Sequence, residues 1–450
     1  MKKYHVWTEG CQMNVADSQR VGSALERLGY SFTGTLEDAD VIVLNTCVVR
    51  QSAEQKAYGR LSSIKPLKAK NPAMVVNLMG CLVGIRDNEI LRSHFPYVDV
   101  FSPPSDPGPL ISFLTQADAR RFEATETGNR FAVMDGDPLT SLPEQTSRPS
   151  LVLPEKDRGK LVTAHVPVVL GCSHACTFCI IPSRRGAEHS RPAAEVLAEA
   201  RALVEQGVKE ITLLGQIVDR YGKDQSEGPN LAALLRMLHK IDGLERIRFL
   251  TSHPNYFGED IMNTVAELPK VMPHIEIPVQ AGDDDVLKKM RRGYTQAGYR
   301  EIIQKIRERI PGSSIATDII VGFPGESDTQ FMETYRLLED LRLDVAHLAR
   351  YSTRPGTVAE HRFADDVPEE EKKRRFRMLE DLQEKIVGEI NRGYLGEKVD
   401  VLFEDKVKNR WRGRTPTNKL VFTETEQDLR SKVIRVTVTW TGPWSMQARI

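Results

Sequence analysis

Val169-Leu-Gly-Cys172-Ser-His-Ala-Cys176-Thr-Phe-Cys179-Ile-Ile-Pro-Ser-Arg-Arg-Gly-Ala-Glu188 carries three cysteines within eight residues, in a loop that leaves an apolar strand. Thiolates spaced C-x3-C-x2-C are soft ligands for a cube of four irons. Three of them leave one iron with an open position, unlike the four-cysteine electron-transfer arrangement. Zinc is the plain alternative, but a structural zinc wants four ligands at paired spacings, and no C-x2-C partner lies downstream. His174 is a candidate fourth ligand or a bystander. A disulfide fits poorly, since three is odd and nothing else suggests secretion.

Outward from this loop the chain alternates short apolar runs with helical patterns. From Leu161 onward, strands are expected at Val162–Val169, which leads into the loop, and at Glu210–Leu214, Arg246–Leu250, His274–Val279, Ser314–Val321 and Ala346–Tyr351, with helices such as Ala193–Glu205 and Tyr299–Arg309 between them. Six βα units are too few for a closed eight-stranded barrel and predict a partial one. Before it, Tyr4-His-Val-Trp, Val41-Ile-Val-Leu, Met74-Val-Val-Asn-Leu-Met and Val98-Asp-Val-Phe read as strands. Helices are expected at Ala16–Leu28, Arg50–Lys65 and Arg86–Ser93, giving a doubly wound parallel sheet. Cys11, Cys47 and Cys81 each follow one of the first three strands. Loops at the carboxyl ends of parallel strands share one edge of the sheet, so these cysteines are expected to converge there. Singly, each is more often a small buried hydrophobe than a ligand.

Composition is that of an ordinary soluble globular protein. The 450 residues suit two or three domains, the 62 basic and 62 acidic residues cancel, and no apolar run is long enough to span a bilayer. No apolar leader follows Met1-Lys-Lys, so a reducing, cytoplasmic setting is expected for six free thiols. A fourfold division is expected: 1–116, a polar linker at 117–157 with one strand at Arg130–Val133, 158–391 including a long charged surface helix from Glu369, and a small antiparallel barrel at 392–450. That last stretch holds 11 basic and 6 acidic residues between 398 and 450. Arg410, Trp411, Arg412, Arg414 and Lys419 cluster there, a pattern that suits RNA phosphates and a stacked base, or simply an exposed basic hairpin around a core Trp.

The cysteine loop, with Gly171 before it, Phe178 before its last cysteine and the run Ile181 to Arg191 after it, resembles the radical S-adenosylmethionine (SAM) enzymes in their methylthiotransferase branch. Gly10-Cys11-Gln-Met-Asn14 and Asn45-Thr-Cys47-Val-Val-Arg resemble the branch's N-terminal domain. Arg350-Tyr351-Ser-Thr-Arg354-Pro-Gly-Thr357 resembles the end of its core, and Trp411 to Lys419 resembles its C-terminal TRAM barrel. The resemblance implies two [4Fe-4S] clusters, on Cys172, Cys176 and Cys179 and on Cys11, Cys47 and Cys81. It also implies SAM contacts from the strand-end loops, through Phe178, Gly215, Gln216, Ser252, Gln280 and Val321.

Gln12-Met13 resembles the members that methylthiolate C2 of N6-isopentenyladenosine at position 37 of tRNA, which implies such a tRNA as partner. An electron donor such as flavodoxin or ferredoxin is implied too, and a monomer is expected. Methylthiolation of another tRNA adenosine or of a ribosomal protein side chain, and a non-catalytic iron–sulfur RNA-binding role, are the alternatives. Two departures stand out. Leu82-Val-Gly84 follows Cys81 where the branch usually has a small residue and Gln, and Ile217-Val218-Asp219 stands where it more often has Asn-Val-Asn.

Overall fold

A computed structural model describes residues 1–86, 89–116 and 151–450, so the strand expected at Arg130–Val133 lies outside the described residues. The chain divides into two compact units, Met1–Lys156 and Asp157–Ile450.

The first unit holds five strands: β1 (Lys3–Thr8), β2 (Ser31–Phe32), β3 (Val41–Thr46), β4 (Val75–Gly80) and β5 (Val100–Ser102). They lie in the order β2-β1-β3-β4-β5, every pair parallel. Central β3 is buried at all six positions, because helices cover both faces of a parallel sheet and leave no position for a polar alternation. Those helices are α1 (Gln12–Arg27), α2 (Gln51–Lys70), α3 (Glu89–His94) and α4 at 108–116. Two helix boundaries differ most from expectation. Helix α2 runs through Pro66, where the missing N–H costs one ladder bond. Helix α1 starts four residues early, immediately after Cys11, which becomes its N-cap. Strand order reverses between β1 and β3, so the loops after those two strands flank a topological switch point, where open α/β sheets bind ligands.

The second unit begins with β6 (Thr163–Pro167), followed by a two-stranded ribbon of β7 (Val169–Leu170) and β8 (His189–Ser190). Strands β9 (Glu210–Leu214), β10 (Arg246–Phe249), β11 (His274–Glu276), β12 (Ser314–Val321) and β13 (Val345–Arg350) come next. They form two parallel three-stranded sheets, β10-β9-β6 and β11-β12-β13. The step from β10 to β11 is spanned by a bridge between Ile247 and Val271 and by Ser252 N donating to Glu276 O at 3.0 Å. Six strands thus follow one another in chain order, with β6 and β13 as edges. Helices include α5 (Ile181–Arg185), α6 (Ala193–Glu205), α7 (Leu231–His239), α8 (Glu259–Glu267), α9 (Asp284–Lys289), α10 (Gln296–Arg309), α11 (Asp328–Leu341), α12 (Val358–Arg362) and α13 (Glu369–Arg392).

The chain ends in a closed barrel of β14 (Lys398–Val407), β15 (Arg410–Arg414), β16 (Leu420–Thr423), β17 (Val433–Thr441) and β18 (Met446–Arg449), ordered β14-β15-β16-β18-β17. Val401, Phe403, Trp411, Val421, Val436, Val438 and Met446 fill it. Its 415–419 loop docks on residues at the amino ends of the parallel strands. Arg246 donates to Arg414 O (2.7 Å), Arg248 to Thr415 O (2.8 Å) and Pro416 O (2.9 Å), and Ser314 to Thr417 O (2.8 Å).

Candidate metal centres

In the first unit all three cysteines stand just past a strand's carboxyl end, and backbone-directed hydrogen bonds stitch their loops together. Asn14 Nδ2 donates to Thr46 O (3.0 Å) and Glu9 O (3.1 Å), Asn45 Nδ2 donates to Asn14 O (2.8 Å), and Cys81 N donates to Thr46 O (3.0 Å). A Cβ on Gly10 would lie 2.7 Å from Cys47 Cβ, and one on Gly80 would lie 2.4 Å from Thr46 O. Both glycines have positive φ, so the loops approach as only glycine permits. Cys47 and Cys81 are buried and Cys11 is exposed, at the amino end of a 16-residue helix whose dipole favours an anion.

In the second unit the β7–β8 ribbon closes the base of the cysteine loop. Gly171 has φ 69°, and a Cβ there would meet Ala187 O at 2.1 Å, so no other residue fits. Cys172 N donates to Gly186 O (3.0 Å). The middle of the loop is tied to the end of α9 through Thr177 N to Met290 O (3.1 Å) and Thr177 Oγ1 to Lys289 O (2.9 Å). Burial pushes the Cys172 thiol up, and pushes Cys179 up to about 12. Both are therefore protonated thiols at neutral pH until a metal displaces the proton.

The donor sets fit iron–sulfur clusters. All six cysteines are free of disulfides. Among the described residues no group of three His, Cys, Asp or Glu side chains is arranged to hold a single metal ion. His174 does not turn to the thiols as a fourth ligand; its Nε2 lies 2.9 Å from the Tyr256 hydroxyl.

The sequence reading missed Arg292. This buried guanidinium donates to Cys176 Sγ (3.2 Å) and the Tyr294 hydroxyl (2.8 Å), and Tyr294 in turn donates to Val279 O (2.8 Å). No local pattern marks it, since 116 residues separate it from its cysteine. Arg220 was missed too. It pairs with Glu188 at 2.7 Å and lies over the Tyr256 ring, bracing the loop's exit.

The other expected site residues stand at the carboxyl ends of successive strands. Gly215 and Gln216 follow β9, Ser252 follows β10, Gln280 follows β11, and Val321 ends β12. Thr251 (φ 70°) and Gln280 (φ 76°) are left-handed; for a β-branched residue that is strain of about 1–3 kcal/mol, the kind stored at functional sites. His253 Nε2 is buried without a hydrogen-bond partner among the described residues, and the Ser252 hydroxyl lies beside the Asp219 carboxyl. Asp219, one of the two departures, accepts from His253 N at 2.7 Å, and burial pushes its carboxyl up to about 7. Phe178 packs against the cluster that contains Met290, Phe323 and Tyr351. Val321 is fully buried and its carbonyl already accepts from Tyr351 N.

The basic cluster of the barrel needs correcting. Trp411 is 4% exposed and sits in the barrel core, so it offers no face to a base. Strand alternation makes Arg410, Arg412 and Arg414 point out only if Trp411 points in. Lys419 is also buried, paired with Asp344 at 2.7 Å, and belongs to the docking of the barrel. Arg412 is paired with Asp405 (2.8 Å), and Arg414 stands 3.7 Å from Glu404.

The description "Radical SAM superfamily" matches residues 166–338, and "Uncharacterized protein family UPF0004" matches residues 3–102. The fold is similar to that of the radical S-adenosylmethionine methyltransferase TsrM from Kitasatospora setae, with TM-score 0.55, 15% identity, and 80% of this chain and 74% of that one covered. A tRNA-2-methylthio-N(6)-dimethylallyladenosine synthase of Roseiflexus sp. (strain RS-1) is 47% identical over 99% of this chain and 89% of its own. One of Herpetosiphon aurantiacus is 45% identical over 98% and 96%. At that identity over nearly the full length of both partners, the chain belongs to the tRNA-2-methylthio-N(6)-dimethylallyladenosine synthase family, within the radical SAM superfamily.

Proposed function

We propose that this protein methylthiolates C2 of N6-isopentenyladenosine at position 37 of tRNA, using SAM and two [4Fe-4S] clusters. The observation that carries the reading is the pair of cysteine triads, each on strand-end or ribbon loops of its own unit, in a chain 47% identical to a synthase named for that product. Cys172, Cys176 and Cys179 hold one cluster and leave an iron open for SAM; Cys11, Cys47 and Cys81 hold the other. When bound, the cofactors supply a 5′-deoxyadenosyl radical and the sulfur, chemistry that acid and base side chains lack for an unactivated C2–H bond. The protein's own residues position. Arg292 sets a fixed positive charge beside Cys176 and offsets the negative charge of the bound thiolates. Gly215, Gln216, Ser252 and Gln280 line the strand ends toward SAM, with Phe178 and Val321 packing the wall behind them.

A donor such as flavodoxin or ferredoxin supplies the electron. The protein works as a monomer in the cytoplasm; no helix among the described residues is long and apolar enough to cross a membrane. Mass spectrometry of tRNA nucleosides from a strain lacking this protein should find isopentenyladenosine without its methylthio form. The reconstituted protein should carry about eight irons, half of them lost, together with 5′-deoxyadenosine formation, when Cys172, Cys176 and Cys179 become Ala. Normal methylthio levels in the deletion strain would end the proposal.

A further inference from the structure

Arg292 is 7% exposed, yet among the described residues its charge meets no carboxylate at ion-pair distance. Two other deeply buried arginines do have one: Arg248 pairs with Glu210 at 3.0 Å and Arg375 with Glu326 at 2.8 Å. Arg220, at the exit of the cysteine loop, is likewise neutralised by Glu188. A guanidinium taken out of water without an anion is costly, so Arg292 needs a counter-charge from another source. Among its partners the Cys176 sulfur, at 3.2 Å, is the one that becomes an anion on binding metal.

The contact is built into the end of α9. Arg291 (φ 56°) takes the left-handed place of a Schellman turn, with Arg291 N donating to Lys288 O and Arg292 N to Leu287 O, both at 3.0 Å. An L residue adopts that conformation at a cost, and the turn sends the chain back toward the cysteine loop. Arg292 Nε then donates to the Tyr294 hydroxyl (2.8 Å), which donates to Val279 O (2.8 Å), and Nη2 lies 3.4 Å from Pro278 O. With those two nitrogens anchored, Nη1 is left for the sulfur. The same helix end holds Thr177, the neighbour of Cys176, through the carbonyls of Lys289 and Met290, so the cation and the ligand are fixed to one frame.

We propose that Arg292 sets the reduction potential of the cluster held by Cys172, Cys176 and Cys179, its fixed charge and its N–H on Cys176 Sγ favouring the reduced state. The inference rests on the cluster reading above. Taking one electron from the flavodoxin or ferredoxin donor adds a negative charge to the thiolate-bound iron. A cation and a hydrogen bond at a ligand sulfur stabilise that added charge, the more so out of water. Cys172 Sγ accepts instead from a backbone N–H, that of His174 at 3.4 Å, and in the first unit Cys47 Sγ accepts from Val49 N at 3.4 Å; neither donor carries a net charge. Arg292 acts through its ligand and not on the substrate, which makes it a positioning residue.

The test is an EPR-monitored redox titration of the full-length protein without SAM, with Cys11, Cys47 and Cys81 changed to Ala so that one cluster is read. Arg292→Gln, which removes the charge and keeps polar N–H groups, should lower the reduced-to-oxidised ratio at a given potential roughly tenfold, a midpoint about 59 mV lower for one electron. Arg292→Lys should restore most of that loss. With Cys172, Cys176 and Cys179 changed to Ala instead, Arg292→Gln should leave the midpoint of the other cluster where it was. A ratio within about twofold of the Arg292 protein, in an Arg292→Gln variant that holds its about four irons, overturns the proposal, and so does an equal shift of both clusters. If Arg292→Gln loses its iron, Arg292→Lys decides: recovery of iron and midpoint supports the charge, and failure to recover them marks Arg292 as structural and overturns it. If the triad-deleted protein with Arg292 intact holds no iron, the cluster reading itself fails, and that outcome is distinct from all of these.

Discussion

Glu276, at the end of β11, is a carboxyl held out of water beside Asp318. Burial first, and the Asp318 charge second, push it up to about 8 from its ordinary 4.5. Its folded-state value lies above its unfolded one, so the folded protein keeps a proton that the unfolded chain releases. That contribution is fully present below about 4.5 and is lost as pH rises through about 8. Glu276→Gln keeps the shape and removes the titration. Urea denaturation at about pH 5 and about pH 8 should show wild type losing more stability toward the higher pH than the variant does. Asp219 titrates in the same direction and remains in both proteins, so the difference between them isolates Glu276. Identical pH slopes would mean that water or a nearby cation already holds Glu276 charged.

At the scale of the element, β10 shows how a four-residue strand serves two purposes. Its sequence Arg246-Ile-Arg-Phe alternates, with Ile247 and Phe249 on one side and two buried arginines on the other. Arg248 pairs with Glu210 at 3.0 Å, both side chains 3% exposed, while its Nη atoms satisfy two carbonyls of the 415–419 loop. Arg248→Met retains the stem but leaves Glu210 buried without its partner and strips those two carbonyls of donors. It should cost about 3–5 kcal/mol of stability, the usual result of removing one half of a buried pair. A loss under about 1 kcal/mol in chemical denaturation would mean that water reaches Glu210 and that the docking is looser than the hydrogen bonds indicate.

At the scale of the molecule, the C-terminal barrel is a structural part of the second unit. Arg246, Arg248, His274, Ser314 and Asp344 all spend hydrogen bonds or charge on barrel residues. Truncation after Arg392 should therefore do more than weaken RNA binding. It uncovers Arg246, Arg248, Asp344 and the imidazole of His274, which burial otherwise pushes down to about 3. The truncated chain should melt at a lower temperature, and its remaining core should show weakened hydrogen-exchange protection at β10, β11 and β12 first. Unchanged melting and protection would make the barrel a tethered module. For the same reason, a truncation that failed to bind tRNA would say little about RNA contacts, and point variants on the outer face are the cleaner probe.

Features that depend on short-range pattern were legible along the chain. The apolar runs at Glu210–Leu214 and Ser314–Val321 became strands with those bounds, because parallel strands buried on both faces leave uninterrupted hydrophobic segments. Strand-end placement also put Cys11, Cys47 and Cys81 on one edge of one sheet, since side-chain position along a βα unit follows from the order of elements. The two-residue strand β2 was too short to register in any pattern.

Features that depend on partners distant in sequence emerged from the folded chain alone. Arg292 beside Cys176, the Asn14 and Asn45 amides that stitch the first triad's loops, and the arginines of β10 beneath the barrel have no local signature, because each is defined by a contact 31 to 168 residues away. The barrel shows the difference most plainly. Trp411 among arginines has the composition of an RNA contact, but composition carries no direction, and closing the barrel turned that ring inward and left Phe422 and Trp440 on the outside. Period-two alternation fixes which residues share a face, but only the pairing of the strands fixes which face meets water.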